Sequence, residues 1–74
     1  MNQDWAVEGT VTYTDSSVAA YDAFWEGLTL DEADAEVERI VAEYIRKRKV
    51  HGISVRATTQ GEHGLAVIIR TESK

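Results

Sequence analysis

The sequence predicts an α+β domain in which one long amphipathic helix packs on one face of a small, mostly antiparallel sheet of three or four strands. Three observations carry that expectation. Residues 5–14, 53–59 and 65–70 alternate in side-chain character with a period of two, the pattern of half-buried strands. Residues 30–49 repeat their apolar positions every three and four residues, the pattern of a helix with one buried stripe. The breaks between these stretches are short and made of turn-forming residues, so the 74 residues read as a single compact domain, 1–74, without linker, repeat or low-complexity segment.

In the first strand Trp5, Val7, Gly9, Val11 and Tyr13 share a face, and Ala6, Glu8, Thr10, Thr12 and Thr14 share the other. Gly9 within it marks a bulge or a close packing contact. Asp15-Ser16-Ser17 follows as turn chemistry, because each side chain can bond nearby backbone.

Residues 18–25 read two ways. As a strand they close a hairpin with the first, which the short turn favours. As a helix, Ser17 caps it, Val18, Tyr21 and Trp25 share a face, and the three alanines favour it. The hairpin is preferred, giving the order ββαββ, with βααββ as the alternative.

The long helix is predicted over Leu30 to Lys49. Thr29 and Glu32 fit a capping box, in which each side chain satisfies the other's backbone donor. Leu30, Ala33, Val37, Ile40, Val41, Tyr44 and Ile45 form the core stripe. Acids at the start and Arg46 to Lys49 at the end complement the helix dipole, and Gly52 stands where a C-terminal cap is expected. At 1.5 Å per residue such a helix runs about 30 Å, longer than a seven-residue strand of about 23 Å, so its basic end should overhang the sheet.

After it, Ile53, Val55, Ala57 and Thr59 alternate with Ser54, Arg56 and Thr58. Gln60 to Gly64 forms a hairpin loop, and Leu65, Val67 and Ile69 are expected to face the helix in the last strand. The open face of the sheet would then carry Glu8, Thr10, Thr12, Ser54, Arg56, Thr58, Ile68 and Arg70.

Composition bounds the function. With no Cys, disulfides and thiolate metal sites are excluded and the apolar core must hold the fold. No apolar run approaches the roughly 18 residues of a membrane span, and the N-terminus lacks the basic and apolar regions of a secretory signal. A cytoplasmic protein is the default expectation. The net charge of −5 divides unevenly: residues 1–38 hold ten acids and no Lys or Arg, while 39–74 hold eight bases and three acids. The expectation is that the two halves neutralise each other in the fold.

No catalytic set is apparent. The serines lie in none of the sequence contexts of serine nucleophiles, and His51 and His63 read as solvated turn residues. Glu62 with the two histidines lacks the spacing that fixes metal ligands, and the carboxylates from Asp31 to Glu38 scatter around a helix axis. No cofactor or metal is expected. Gly61 and Gly64 join two strands, unlike a phosphate-cradling loop that leads into a helix.

Two features remain. Arg46-Lys47-Arg48-Lys49 could neutralise phosphates, but the acidic balance and the lack of interleaved aromatics argue against nucleic acid. Phe24 and Trp25 are adjacent, so in a strand they point to opposite faces and one lies on the open face near Ile68. Phe24, Trp25 and Ile68 are therefore the candidate interaction residues. The reading is a non-enzymatic protein–protein interaction module using its open sheet face or an edge, with self-association into a homodimer or a foreign protein as partner. The alternatives are a nucleic-acid or phosphate-binding accessory protein using the basic cluster and, more weakly, an acidic mimic of nucleic acid.

Overall fold

Side-chain alternation along the chain resolves into four long strands and one helix. The computed structural model describes residues 2–61 and 64–74. The elements are β1 (Gln3–Tyr13), β2 (Val18–Leu28), α1 (Leu30–Ile45), β3 (Val50–Gly61) and β4 (Gly64–Ser73). The sheet order is β2-β1-β3-β4 with every neighbouring pair antiparallel. β2 and β3 thus run parallel on either side of β1, and α1 makes the crossover between them.

Residues 18–25 are a strand. β2 pairs with β1 from Thr12↔Val18 to Trp5↔Trp25. The helix preference of its alanines is a weak local term that the ladder overrides. The turn behind it is fixed by Asp15, whose carboxylate accepts from the Ser17 N–H (2.9 Å) and hydroxyl (2.6 Å). Those bonds, the hydroxyl's first, hold the Asp15 carboxyl below its ordinary range. Ser16 takes the left-handed conformation (φ 73°) that lets the chain reverse.

The capping box forms as the sequence predicts: the Glu32 N–H donates to Thr29 Oγ1 (3.2 Å) and the Thr29 N–H donates to Glu32 Oε1 (2.9 Å). Ala33, Val37, Ile40 and Val41 are buried, and Tyr44 and Ile45 are half-buried. Leu30, expected in the stripe, is exposed. It lies at the first turn, beyond the covered part of the stripe.

The helix stops at Ile45, four residues before the expected end at Lys49. Apolar positions run out at Ile45, and the next buried side chain, Val50, already belongs to β3. Two tight turns join them, with the Lys47 N–H donating to the Tyr44 carbonyl (3.0 Å) and the Val50 N–H to the Lys47 carbonyl (3.1 Å). Gly52 is consequently not a helix cap. It sits within β3, between Thr12 and Ser73, where an added Cβ would meet the Glu72 carbonyl oxygen at 3.1 Å.

The length comparison also reverses. A 16-residue helix spans about 24 Å. Strands of 10 to 12 residues reach roughly 33 to 40 Å. The sheet overhangs the helix.

The core lies between α1 and one sheet face. It is built from Trp5, Val7 and Val11 of β1, Val50, Ile53, Val55 and Ala57 of β3, Ile68 of β4, and the helix stripe. Trp5 is wholly buried, and its indole N–H donates to the Leu28 carbonyl at 3.1 Å, so the ring brings no unpaired donor inside. Tyr21 and Tyr44 meet edge to face at 6.1 Å between ring centroids, tying β2 to the helix. Gly9 is a close-contact glycine: a Cβ there would stand 2.8 Å from the Ser54 backbone oxygen on β3.

Gly9→Ala is therefore expected to destabilise the fold by about 1–3 kcal/mol through overpacking, read by denaturant unfolding. An unchanged midpoint would show that β1 and β3 yield freely at this point. A second expectation concerns Glu32. The Thr29 N–H, and then its hydroxyl, hold the Glu32 carboxyl below its usual range. The stability this contributes is present above the ordinary glutamate value and is lost as pH falls through the lower, folded value. The gap in unfolding midpoint between the native chain and Glu32→Ala should be open near pH 7 and shrink as pH falls below the ordinary glutamate range. A gap still undiminished in strong acid would assign the effect to something other than the carboxylate.

Candidate interaction surface

The face of the sheet away from α1 follows from register alone. Phe24, Ala6, Thr58 and Val67 form one row across the four strands. Asp22, Glu8, Arg56 and Ile69 form the next, and Ala20, Thr10, Ser54 and Thr71 the one beyond. In the last row the Ser54 and Thr71 hydroxyls are hydrogen-bonded at 3.0 Å. The middle of this face is polar, as the sequence predicts for Glu8, Thr10, Thr12, Ser54, Arg56 and Thr58. Its apolar content is at the two edges. Phe24 is 61% exposed on β2, while Leu65, Val67 and Ile69 are 62%, 40% and 67% exposed on β4.

The three predicted interaction residues separate. Phe24 lies on the open face. Trp25 points to the helix side, pairs across from the buried Trp5 and is half-buried against the core. With Glu26, Leu28, Glu32, Ala35 and Glu36 it lines a groove of about 510 Å³ between β2 and α1. Ile68 is a core residue, only 9% exposed and paired across from Ala57. Its expected place on the open face is overturned, and the last strand is reversed throughout. Leu65, Val67 and Ile69 face away from the helix, and Arg70 faces it, with its guanidinium 3.6 Å from Asp34 and 4.0 Å from Glu38.

The cause is the hairpin. Gly61 pairs with Gly64, so Glu62 and His63 alone separate the paired strands. That spacing fixes Thr58 opposite Val67 and Ala57 opposite Ile68. The run Leu65 to Ile69 is apolar on both faces, and its larger side chains do not mark the core side. Taking the loop as the two residues between the glycines would have given the right register from sequence.

Arg46, Lys47, Arg48 and Lys49 are all exposed, on the turn after α1 rather than in its last turn. Their backbone is engaged: the Lys49 carbonyl accepts from the Thr14 N–H at 2.7 Å, and the Lys47 carbonyl also accepts from the Lys74 ammonium. The Lys47 ammonium stands 4.4 Å from the centre of the Tyr44 ring. His51, expected in a turn, is an exposed residue of β3 whose carbonyl accepts from the Lys74 N–H. The readings of His63 and Glu62 lie outside the described residues. Among the described residues no cluster of three or more His, Asp or Glu side chains is arranged to hold a metal ion, and no helix is long and apolar enough to cross a membrane.

Set against known protein families, curated proteins and solved structures, the chain matches none.

The two sides of the sheet are separable by mutation. Ile68→Thr is expected to cost about 2–4 kcal/mol, because it buries a hydroxyl and leaves a void in the core. Phe24→Thr should change stability by about 0.5 kcal/mol or less, as exposed substitutions do. Equal losses in thermal or denaturant unfolding would contradict the assignment of faces.

Proposed function

We propose that this chain is a non-enzymatic protein–protein interaction module that works through its uncovered sheet face and the edge beside it. The observation that carries the reading is the exposure of Leu65, Val67 and Ile69 along one edge strand, with Phe24 across the same face. β-Branched residues suit strands anywhere, but a run of three exposed aliphatics on alternate positions makes a contiguous apolar patch of the kind that marks an interaction surface. Aromatic residues such as Phe24 are enriched where binding energy concentrates. The backbone of an edge strand adds unpaired donors and acceptors, which a partner strand can satisfy.

Phe24 remains in the proposed surface. Leu65, Val67 and Ile69 take the place of Ile68, and Trp25 belongs to the helix side.

The test is recovery of the tagged full-length chain from its source cells after mild cross-linking, with the mass of the complex measured. The native chain is expected to come back in a stoichiometric complex, with itself or with another protein. Phe24→Ser combined with Ile69→Ser should come back alone while retaining its native circular dichroism. Recovery of the native chain alone, or of the same complex from both, would overturn the reading.

A further inference from the structure

The two edges of the sheet are guarded differently. β2 carries Asp22 and Glu26, and its pairing with β1 is broken by an irregularity between Gln3 and Trp5. Gly27 there adopts a left-handed conformation (φ 69°), and its N–H donates to Asp4. Charges and bulges of this kind prevent a sheet edge from pairing with another chain. β4 has neither from Gly64 to Ile69. Its ladder with β3 is unbroken from Gly52↔Ser73 to Gly61↔Gly64, and Leu65-Ala66-Val67-Ile68-Ile69 carries no charge.

From this contrast we infer that β4 pairs antiparallel with β4 of a second copy, about a two-fold axis at Val67, to make a continuous eight-stranded sheet. The inference rests on the interaction-module reading and names its partner. Self-pairing follows from the strand's own pattern. A two-fold at Val67 sets Val67 beside its counterpart, Leu65 beside Ile69 of the second copy, and Ala66 beside Ile68 of the second copy. The three exposed aliphatics of each chain then form one cross-strand apolar ladder on the open face, and pairs of this kind are the unit of sheet stabilisation. An isologous contact of this sort closes at two copies.

Charge selects the register. Asp34 and Glu38 gather around Arg70 on the helix side of β4. Arg70 lies three residues from Val67, about 10 Å along the strand. The two acidic clusters therefore stand roughly 20 Å apart, well beyond the Debye length of about 8 Å at physiological salt. Arg70 faces Gly64 of the second copy, which brings no like charge. Moving the axis to Ile69 would bring the two Asp34–Glu38 clusters, each with its Arg70, to roughly 7 Å apart along the strand. Moving it to Thr71 would set Ile69 beside Ser73 of the second copy and break up the apolar ladder.

The experiment uses the full chain, in which the absence of Cys makes engineered thiols clean probes. Light scattering and sedimentation from micromolar to submillimolar concentration should show the dimer. Val67→Lys should raise its dissociation constant by about tenfold or more with the circular dichroism spectrum unchanged. Directly opposed strand residues have Cα atoms within disulfide reach. Val67→Cys should therefore oxidise to a covalent dimer, and a mixture of Leu65→Cys and Ile69→Cys chains should give the mixed disulfide. Phe24→Cys, at the far edge, should stay monomeric in denaturing electrophoresis. A dimer cross-linked through Phe24→Cys and not through Val67→Cys would place the contact elsewhere and overturn the inference. A monomer at every concentration would overturn it too, yet leave the interaction-module reading to the recovery experiment, in which a foreign partner would still be found.

Discussion

One helix can cover only one face of a sheet, and α1 is too short to cover even that face from end to end. Its 16 residues supply about 24 Å of packing length against strands reaching roughly 33 to 40 Å. Most of the structure follows from this shortfall. The largest of the fully buried side chains, Trp5, Val11, Val37, Val50 and Val55, come from α1 and the two central strands β1 and β3. The edge strands are served unevenly. β4 contributes Ile68 to the core, while the helix-side residues of β2, Tyr21, Ala23 and Trp25, are only half-buried. The Tyr21–Tyr44 contact holds β2 to a helix that otherwise sits mainly over β3 and β4.

The charge asymmetry between the two halves of the chain is partly answered within the fold. Arg70, from the basic half, faces Asp34 and Glu38 from the acidic half, and Arg39 bonds Glu36 and Glu43 along the helix. These pairs are substantially exposed, and solvent screening leaves contacts of that kind with little effect on stability. They orient side chains more than they hold the domain together. Glu26, Glu32 and Glu36 line the groove beside β2, and Arg46 to Lys49 lie on the turn beyond the other end of α1. The surface is acidic at the start of the helix and basic beyond its end.

Legibility in the sequence follows how many independent constraints each element carries. β1 alternates without ambiguity, and the capping box marks the start of α1 by two side chains at a fixed spacing, so both were readable. The end of α1 was not, because Arg46 to Lys49 are good helix formers and complement a dipole. Only the need to deliver Val50 into β3 stops the helix at Ile45, and that is a tertiary demand. Alternation alone puts Ile68 and Ile69 on the wrong faces for a related reason. In a run with no polar residue between Leu65 and Ile69, hydrophobicity carries no phase. The phase comes from the Gly61–Gly64 pairing, a register constraint imposed by the neighbouring strand. The same ambiguity hides the exposed surface, since alternation alone puts Leu65, Val67 and Ile69 on the core side.

Apolar content on both faces of β4 has a physical consequence beyond misreading. For a strand covered on one side, the economical sequence is apolar inward and polar outward, as β3 is with Val55 and Ala57 against Ser54, Arg56 and Thr58. Strands buried on both faces lose the alternation. β4 has the composition of the second kind in the position of the first. Its neighbour supplies polar residues on the same face, so the apolar character is not a general property of that surface but belongs to the two edge strands; on β2 the exposed Val18 and Phe24 are separated by Ala20 and Asp22, whereas on β4 three aliphatics follow at alternate positions. Placing such a row and an unguarded edge on one element exposes a monomer to misassociation. The proposed pairing of β4 with a second copy would place that unguarded edge inside a larger sheet and set the aliphatic rows of the two copies side by side.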